Sequence, residues 1–141
     1  MLVIHLLKIF KENIKRPGSE KLLEDYNYQY YKTLEPYAQR FGIRIAVENL
    51  PRTCLGRDSD EILELISAHP LLSVCFDTNH LLFEKNVDFI KKCGEHIVTT
   101  HFSDYDFLNE RHWMPYEGKN DWISIITALE EVGYSGPLLF E

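Results

Sequence analysis

A chain of 141 residues, 45% hydrophobic and 26% charged, is long enough for one domain with a buried core and too apolar for a disordered segment. Its net charge of −7 argues against a nucleic-acid partner, which needs a basic surface to displace counterions, and turns attention to small molecules. The opening run MLVIHLLKIF is too short and interrupted to span a bilayer, and three cysteines without C-x-x-C spacing argue against a disulfide framework or a structural zinc site, so a cytoplasmic protein with reduced thiols is expected.

The first strand is the β-branched apolar run from Leu2 to His5. Ser19 then caps a helix running toward Phe41, with Gly42 as its stop and Pro36 placed to kink or divide it. Tyr26, Tyr28, Tyr30 and Tyr31 pack this helix onto its neighbours. Arg44 to Glu48 is the second strand, followed by a loop and a helix from about Ser59 to Ala68, capped by Asp58 or Ser59. The pattern restarts at Leu72 and ends in Asp77, with a helix from about Val87 to Glu95. It restarts again at Ile97 and ends in His101. After a polar loop, Asp121 opens a helical period that Gly133 stops, and Pro137 to Glu141 is the last strand.

Strand and helix therefore alternate at roughly the spacing of βα units. Near-continuous apolar strands mean parallel strands buried on both faces, in a doubly wound sheet or a (β/α) barrel. No glycine-rich phosphate loop follows any strand, which removes support from the nucleotide-binding versions. The strand ends favour the barrel: His5, Glu48, Asp77, His101 and Glu141 each close a strand with a group that binds metal or moves protons. One such residue is ordinarily a strand-end cap, but five at the same register point to the mouth of a barrel, where C-terminal strand ends converge. Carboxylates mixed with imidazoles suit Mn²⁺, Co²⁺, Mg²⁺ or Zn²⁺. Two glutamates on opposite walls serve as acid and base.

At these residues the chain resembles the sugar isomerase and epimerase group of the xylose-isomerase-like TIM-type barrels. Glu48-Asn49-Leu50-Pro51 is similar to that group's E-N-x-P strand end, Asp77 through His80 to its D-x-x-H, and His101 through Asp104 to its H-x-x-D. Arg111-His112, Pro115 through Gly118 and Asp121-Trp122 resemble its R-H, P-G-x-G and D-W stretch, with Tyr116 in place of the first glycine. Leu138 through Glu141 resembles its final strand, and the strand ending in His5 its fourth.

The resemblance implies a first metal shell of Glu48, Asp77, His101 and Glu141, with Glu48 and Glu141 doubling as the acid–base pair on a sugar or sugar phosphate. It implies substrate contacts from His80, Arg111 and His112. Set against the related apurinic-endonuclease branch, it implies a second metal near His5, His80, Glu110 and His112, and a zinc phosphodiesterase as the alternative function. Asp104 is placed to orient His101 or to lie at the surface. Residues 1–141 then form a single partial domain, strands four to eight of a barrel that needs eight strands and about 250 residues. A truncated product, a fragment of a longer chain, self-association and a companion barrel fragment are the expectations that follow, as is a catalytically incomplete remnant.

Overall fold

The computed structural model describes residues 2–4, 19–52 and 54–141, with side chains for residue 29 and from residue 31 onward. His5 lies outside the described residues. Among the described residues, five strands and four α-helices alternate: β1 (Leu2–Ile4), α1 (Ser19–Phe41), β2 (Ile45–Glu48), α2 (Ser59–Ser67), β3 (Leu72–Asp77), α3 (Asn86–Cys93), β4 (Ile97–Phe102), α4 (Trp122–Glu131) and β5 (Leu138–Phe140). The pairings between these strands are all parallel, in the order β1-β2-β3-β4-β5. This is the wall of a (β/α) barrel, and among the described residues β1 and β5 each pair on one side only.

The elements start and stop where local chemistry requires. Helix α1 runs through Pro36 without division. It ends in a Schellman turn: Gly42, at φ +61°, donates to the Gln39 carbonyl and Ile43 to that of Ala38. Helix α4 closes the same way through Gly133, with Tyr134 donating to the Leu129 carbonyl. Asp58, not Ser59, caps α2 by accepting from the Glu61 N–H. Ser59 instead bonds Glu84, which ties α2 to the segment before α3.

Alternation along the strands sorts the faces. Ile45, Val47, Val74, Phe76, Ile97 and Phe102 point toward the helices and join one core with Phe89, Ile125 and Trp122. Tyr31 is buried in this core, and the side chains of Tyr26, Tyr28 and Tyr30 lie outside the described residues. Ala46, Glu48, Cys75, Asp77, Thr99 and His101 take the opposite face. A register shift at Val74/Cys75 matters here, because Val74 pairs with Ile97 but Cys75 with Thr99. The extra residue, Val98, re-phases β4, so His101 and not Thr100 lies level with Asp77. Leu138, Leu139 and Phe140 of β5 are all exposed, an apolar edge among the described residues.

Candidate functional site

The ends of four successive strands converge. His101 Nδ1 lies 2.8 Å from Glu141 Oε2, 3.2 Å from Glu48 Oε2 and 4.0 Å from Asp77 Oδ2. One ligand atom from each of Glu48, Asp77, His101 and Glu141 falls within 4.8 Å of all the others. Glu48 and Asp77 are fully buried, His101 is half-buried and Glu141 is open to solvent. Cys75 shares the same reach with Glu48 and His101.

Three carboxylates around one imidazole are electrostatically costly without a cation. Burial, then the Glu48 charge, pushes the Asp77 carboxyl well above its usual range. The hydrogen bond and charge of Glu48 raise His101 against the opposing effect of burial. Burial and the surrounding carboxylates push the Cys75 thiol up, so it remains a neutral floor to the cluster. Asp77 Oδ1 accepts from the Asn79 N–H at 2.6 Å, whereas Asp77 Oδ2 is buried with no hydrogen-bond partner among the described residues. A buried carboxylate oxygen without a hydrogen bond, beside the His80 and His101 imidazoles and two glutamates, fits a divalent ion, whose charge offsets the crowding.

Polar side chains just beyond each strand hold the ends in line. Asn49 spans β2 and β3, accepting from the Asp77 N–H at 2.7 Å and donating to the Asp77 carbonyl at 3.0 Å. Thr78 does the same between β3 and β4, with the Ser103 carbonyl and N–H. His80 Nδ1 is 2.9 Å from the Asn49 carbonyl, so that nitrogen carries the proton and Nε2 keeps its lone pair. Burial lowers the His80 pKa, keeping the ring neutral.

A cavity of about 280 Å³ opens beside the cluster, lined by Glu48, Glu141, His80, Glu110 and His112 together with Leu50 and Pro51. Of the residues assigned to a second metal, His80, Glu110 and His112 line this mouth, and the His80 and His112 rings stand 6.0 Å apart, edge to face. They form no ligating group with Glu110 among the described residues. Glu110 is instead held by Arg52, from the loop after β2, whose Nη2 is 2.6 Å from Glu110 Oε2 and whose Nε is 3.0 Å from Oε1. Arg111 bonds Asp106 at 2.9 Å and lies over the Trp113 ring, while its backbone N–H donates to Asn79.

Asp104 takes neither role foreseen for it. It is fully buried, and its carboxylate accepts from the N–H groups of Tyr105, Tyr116 and Asn120 and from Trp122 Nε1, all at 2.9–3.0 Å. It is the hub of the loop between β4 and α4. Trp122 accordingly packs on Phe102 at the head of α4. A Cβ on Gly118 would overlap Asp104 Oδ1 and the Tyr105 carbonyl, which is why the loop needs glycine there. Tyr116 sits at φ +73° with its side chain in solvent, so the loop keeps a glycine-type backbone without the glycine. Tyr116→Gly is therefore expected to stabilise the protein by about 0.5–1 kcal/mol, read as a higher urea midpoint at unchanged slope. A lower midpoint would contradict the strain.

A model of the xylose isomerase-like TIM barrel family matches residues 6–141. The chain belongs to that family. A curated relative, the uncharacterised protein y4fM of Sinorhizobium fredii, is 24% identical over 144 residues, covering 99% of this chain and 46% of its own. Among solved structures of similar fold, 3-keto-D-glucoside 4-epimerase YcjR from E. coli superposes with a TM-score of 0.82 at 17% identity, covering 99% of this chain and 55% of its own. The IolI protein, solved with a zinc atom, gives 0.78 at 18%, covering 99% and 52%. D-allulose 3-epimerase from Methylomonas sp., in complex with D-allulose, gives 0.70 at 22%, covering 84% and 42%. At these identities the likeness establishes the fold. The chain spans about half the length of the relatives it matches.

Proposed function

We propose that this chain carries the metal-holding wall of a divalent-metal-dependent sugar or sugar-acid isomerase or epimerase. The observation behind the reading is the convergence of Glu48, Asp77, His101 and Glu141 from four successive strand ends onto one point beside a cavity. When bound there, a divalent ion supplies Lewis acidity to a substrate carbonyl and its neighbouring hydroxyl. The glutamates come from the outermost of the four strands, so one carboxylate takes the proton from the carbon beside the carbonyl and the other returns one. Return to the opposite face inverts the centre, and return to the neighbouring carbon moves the carbonyl. Glu141, open to the cavity, is the first candidate base, and buried Glu48 is its counterpart. The D-allulose bound in one neighbour and the 4-epimerase activity named for another support a sugar substrate.

The test is deuterium incorporation from D₂O into a panel of ketoses, followed by proton NMR. Glu141→Gln is expected to slow exchange by about 10²–10⁴-fold. Full exchange in that variant would end the assignment. The zinc phosphodiesterase reading draws on His80, Glu110 and His112 at the same mouth, but the bidentate hold of Arg52 on Glu110 takes away one of its ligands.

A further inference from the structure

Two loops meet over the cavity, and their contact bears on what the site admits. Arg52 follows Pro51 in a left-handed backbone conformation, φ +59°, which a non-glycine residue keeps only when its surroundings enforce it. Its guanidinium crosses to the loop after β4, takes Glu110 in a fork and adds a 2.9 Å bond from Nη2 to Asn109 Oδ1. The Glu110 side chain lines the cavity and is mostly shielded, with 19% of its surface exposed. Burial alone would raise its carboxyl; the Arg52 bonds and charge more than offset that and hold it below the usual range.

From the opposite side, Asn79 anchors the same loop. Its Oδ1 accepts from the Arg111 N–H, and it is itself fully buried. Glu110 is thereby a fixed, ionised acceptor at the mouth. A carboxylate offers about four lone-pair sites, and the Arg52 fork occupies one edge, leaving the others for hydroxyl donors. Arg52 and Arg111, the arginines on either side of Glu110 in this contact, are already committed. Arg52 is held by Glu110 and Asn109, and Arg111 by Asp106, so neither arginine lines the cavity among the described residues.

We propose that Arg52 is a positioning residue that fixes Glu110 as a hydroxyl acceptor and makes the site select neutral polyhydroxylated sugars over their phosphate esters. The proposal rests on the sugar-isomerase reading above and narrows its substrate class. A neutral ketose donates its hydroxyls to Glu110. A phosphate dianion at the same place meets Glu110 as a like charge, with the Arg52 guanidinium already held in its own pair.

Isothermal titration in Mn²⁺-containing buffer with a ketohexose and its 6-phosphate tests this. The neutral sugar is expected to bind about tenfold more tightly or better, and the gap to narrow as salt is raised, since like-charge repulsion is screened. Glu110→Gln removes the repulsion and releases Arg52, so the affinity ratio is expected to swing toward the phosphate ester by about tenfold or more. The ratio of two ligands in one protein does not respond to a merely structural defect, and the salt series needs no variant. Equal or tighter binding of the phosphate ester by the unaltered protein overturns the proposal, as does an unchanged ratio in Glu110→Gln. Binding of neither compound overturns the sugar-isomerase reading itself.

Discussion

Asp104→Ala is expected to remove about 3–5 kcal/mol of stability, a large part of what a domain of this size holds. The carboxylate is fully buried and accepts four donors, three from backbone and one from the Trp122 indole. Truncation leaves those donors without an acceptor in a place that water enters poorly, so most of their desolvation cost is felt. Asp104→Asn keeps the shape and one acceptor oxygen but turns an NH₂ group toward N–H donors, and about 2 kcal/mol is expected. The acid limb of the stability curve gives a second readout. Burial would raise the Asp104 pKa, but the donors, led by the Asn120 N–H and the Trp122 indole, lower it on balance. A depressed folded-state pKa contributes stability that is present above the unfolded value near 3.9 and lost as pH falls through the folded value. The alanine variant is expected to lose that slope. Urea unfolding within about 0.5 kcal/mol of the unaltered protein would show that the hub does not carry the loop. Function follows stability here, because this loop presents Glu110 and His112 to the cavity.

What could be read in advance, and what could not, divides by distance along the chain. Glu48, Asp77, His101 and the Leu138–Glu141 strand end were legible because an apolar run that stops at a ligand-type residue is a local signal. The barrel wall followed from its repetition. The shift at Val98 is not legible: Ile97 to His101 reads as one unbroken strand, and the inserted residue shows only against β3. Asn49 was visible as part of a motif, but its bonds to Asp77 lie 28 positions away. Arg52 and Glu110 are 58 apart, on loops whose course depends on left-handed backbone at Arg52, His112 and Tyr116. Arg and Tyr ordinarily avoid that conformation, so no local propensity announces it at Arg52 or Tyr116. Asp104 was misjudged for a related reason. Its donors sit up to 18 residues downstream, and a lone aspartate after a strand looks the same whether it faces solvent or a ring of N–H groups.

The largest response to a ligand is expected from the strand-end cluster. A divalent ion that binds the folded chain and not the unfolded one, present at a hundred times its dissociation constant, adds about 2.7 kcal/mol. For a domain of this size that is a melting shift of roughly 5–15 °C. The sign of its pH dependence follows from the two shifts on Asp77 and His101. Both are raised, so each makes the metal-free fold bind more protons than the unfolded chain, and each contribution is lost as pH rises through the folded-state value. His80 runs the other way, lowered mainly by burial, although its Nδ1 lies 3.4 Å from Glu48 Oε1 and 3.6 Å from Asp77 Oδ2 as well as against the Asn49 carbonyl. Ion binding releases the protons that Asp77 and His101 hold, so the melting shift should be larger at pH 8 than at pH 5.5. Asp77→Asn sharpens the test. The amide oxygen can still accept from the Asn79 N–H, and the variant removes one of the crowded buried charges. The metal-free variant should therefore melt at or above the unaltered protein, while most of the gain from Mn²⁺ or Zn²⁺ disappears. That crossing separates a ligand from a merely structural carboxylate, whose loss would lower both curves together. Superimposable melts with chelator and with ion, at either pH, would mean that the four residues converge without holding a metal.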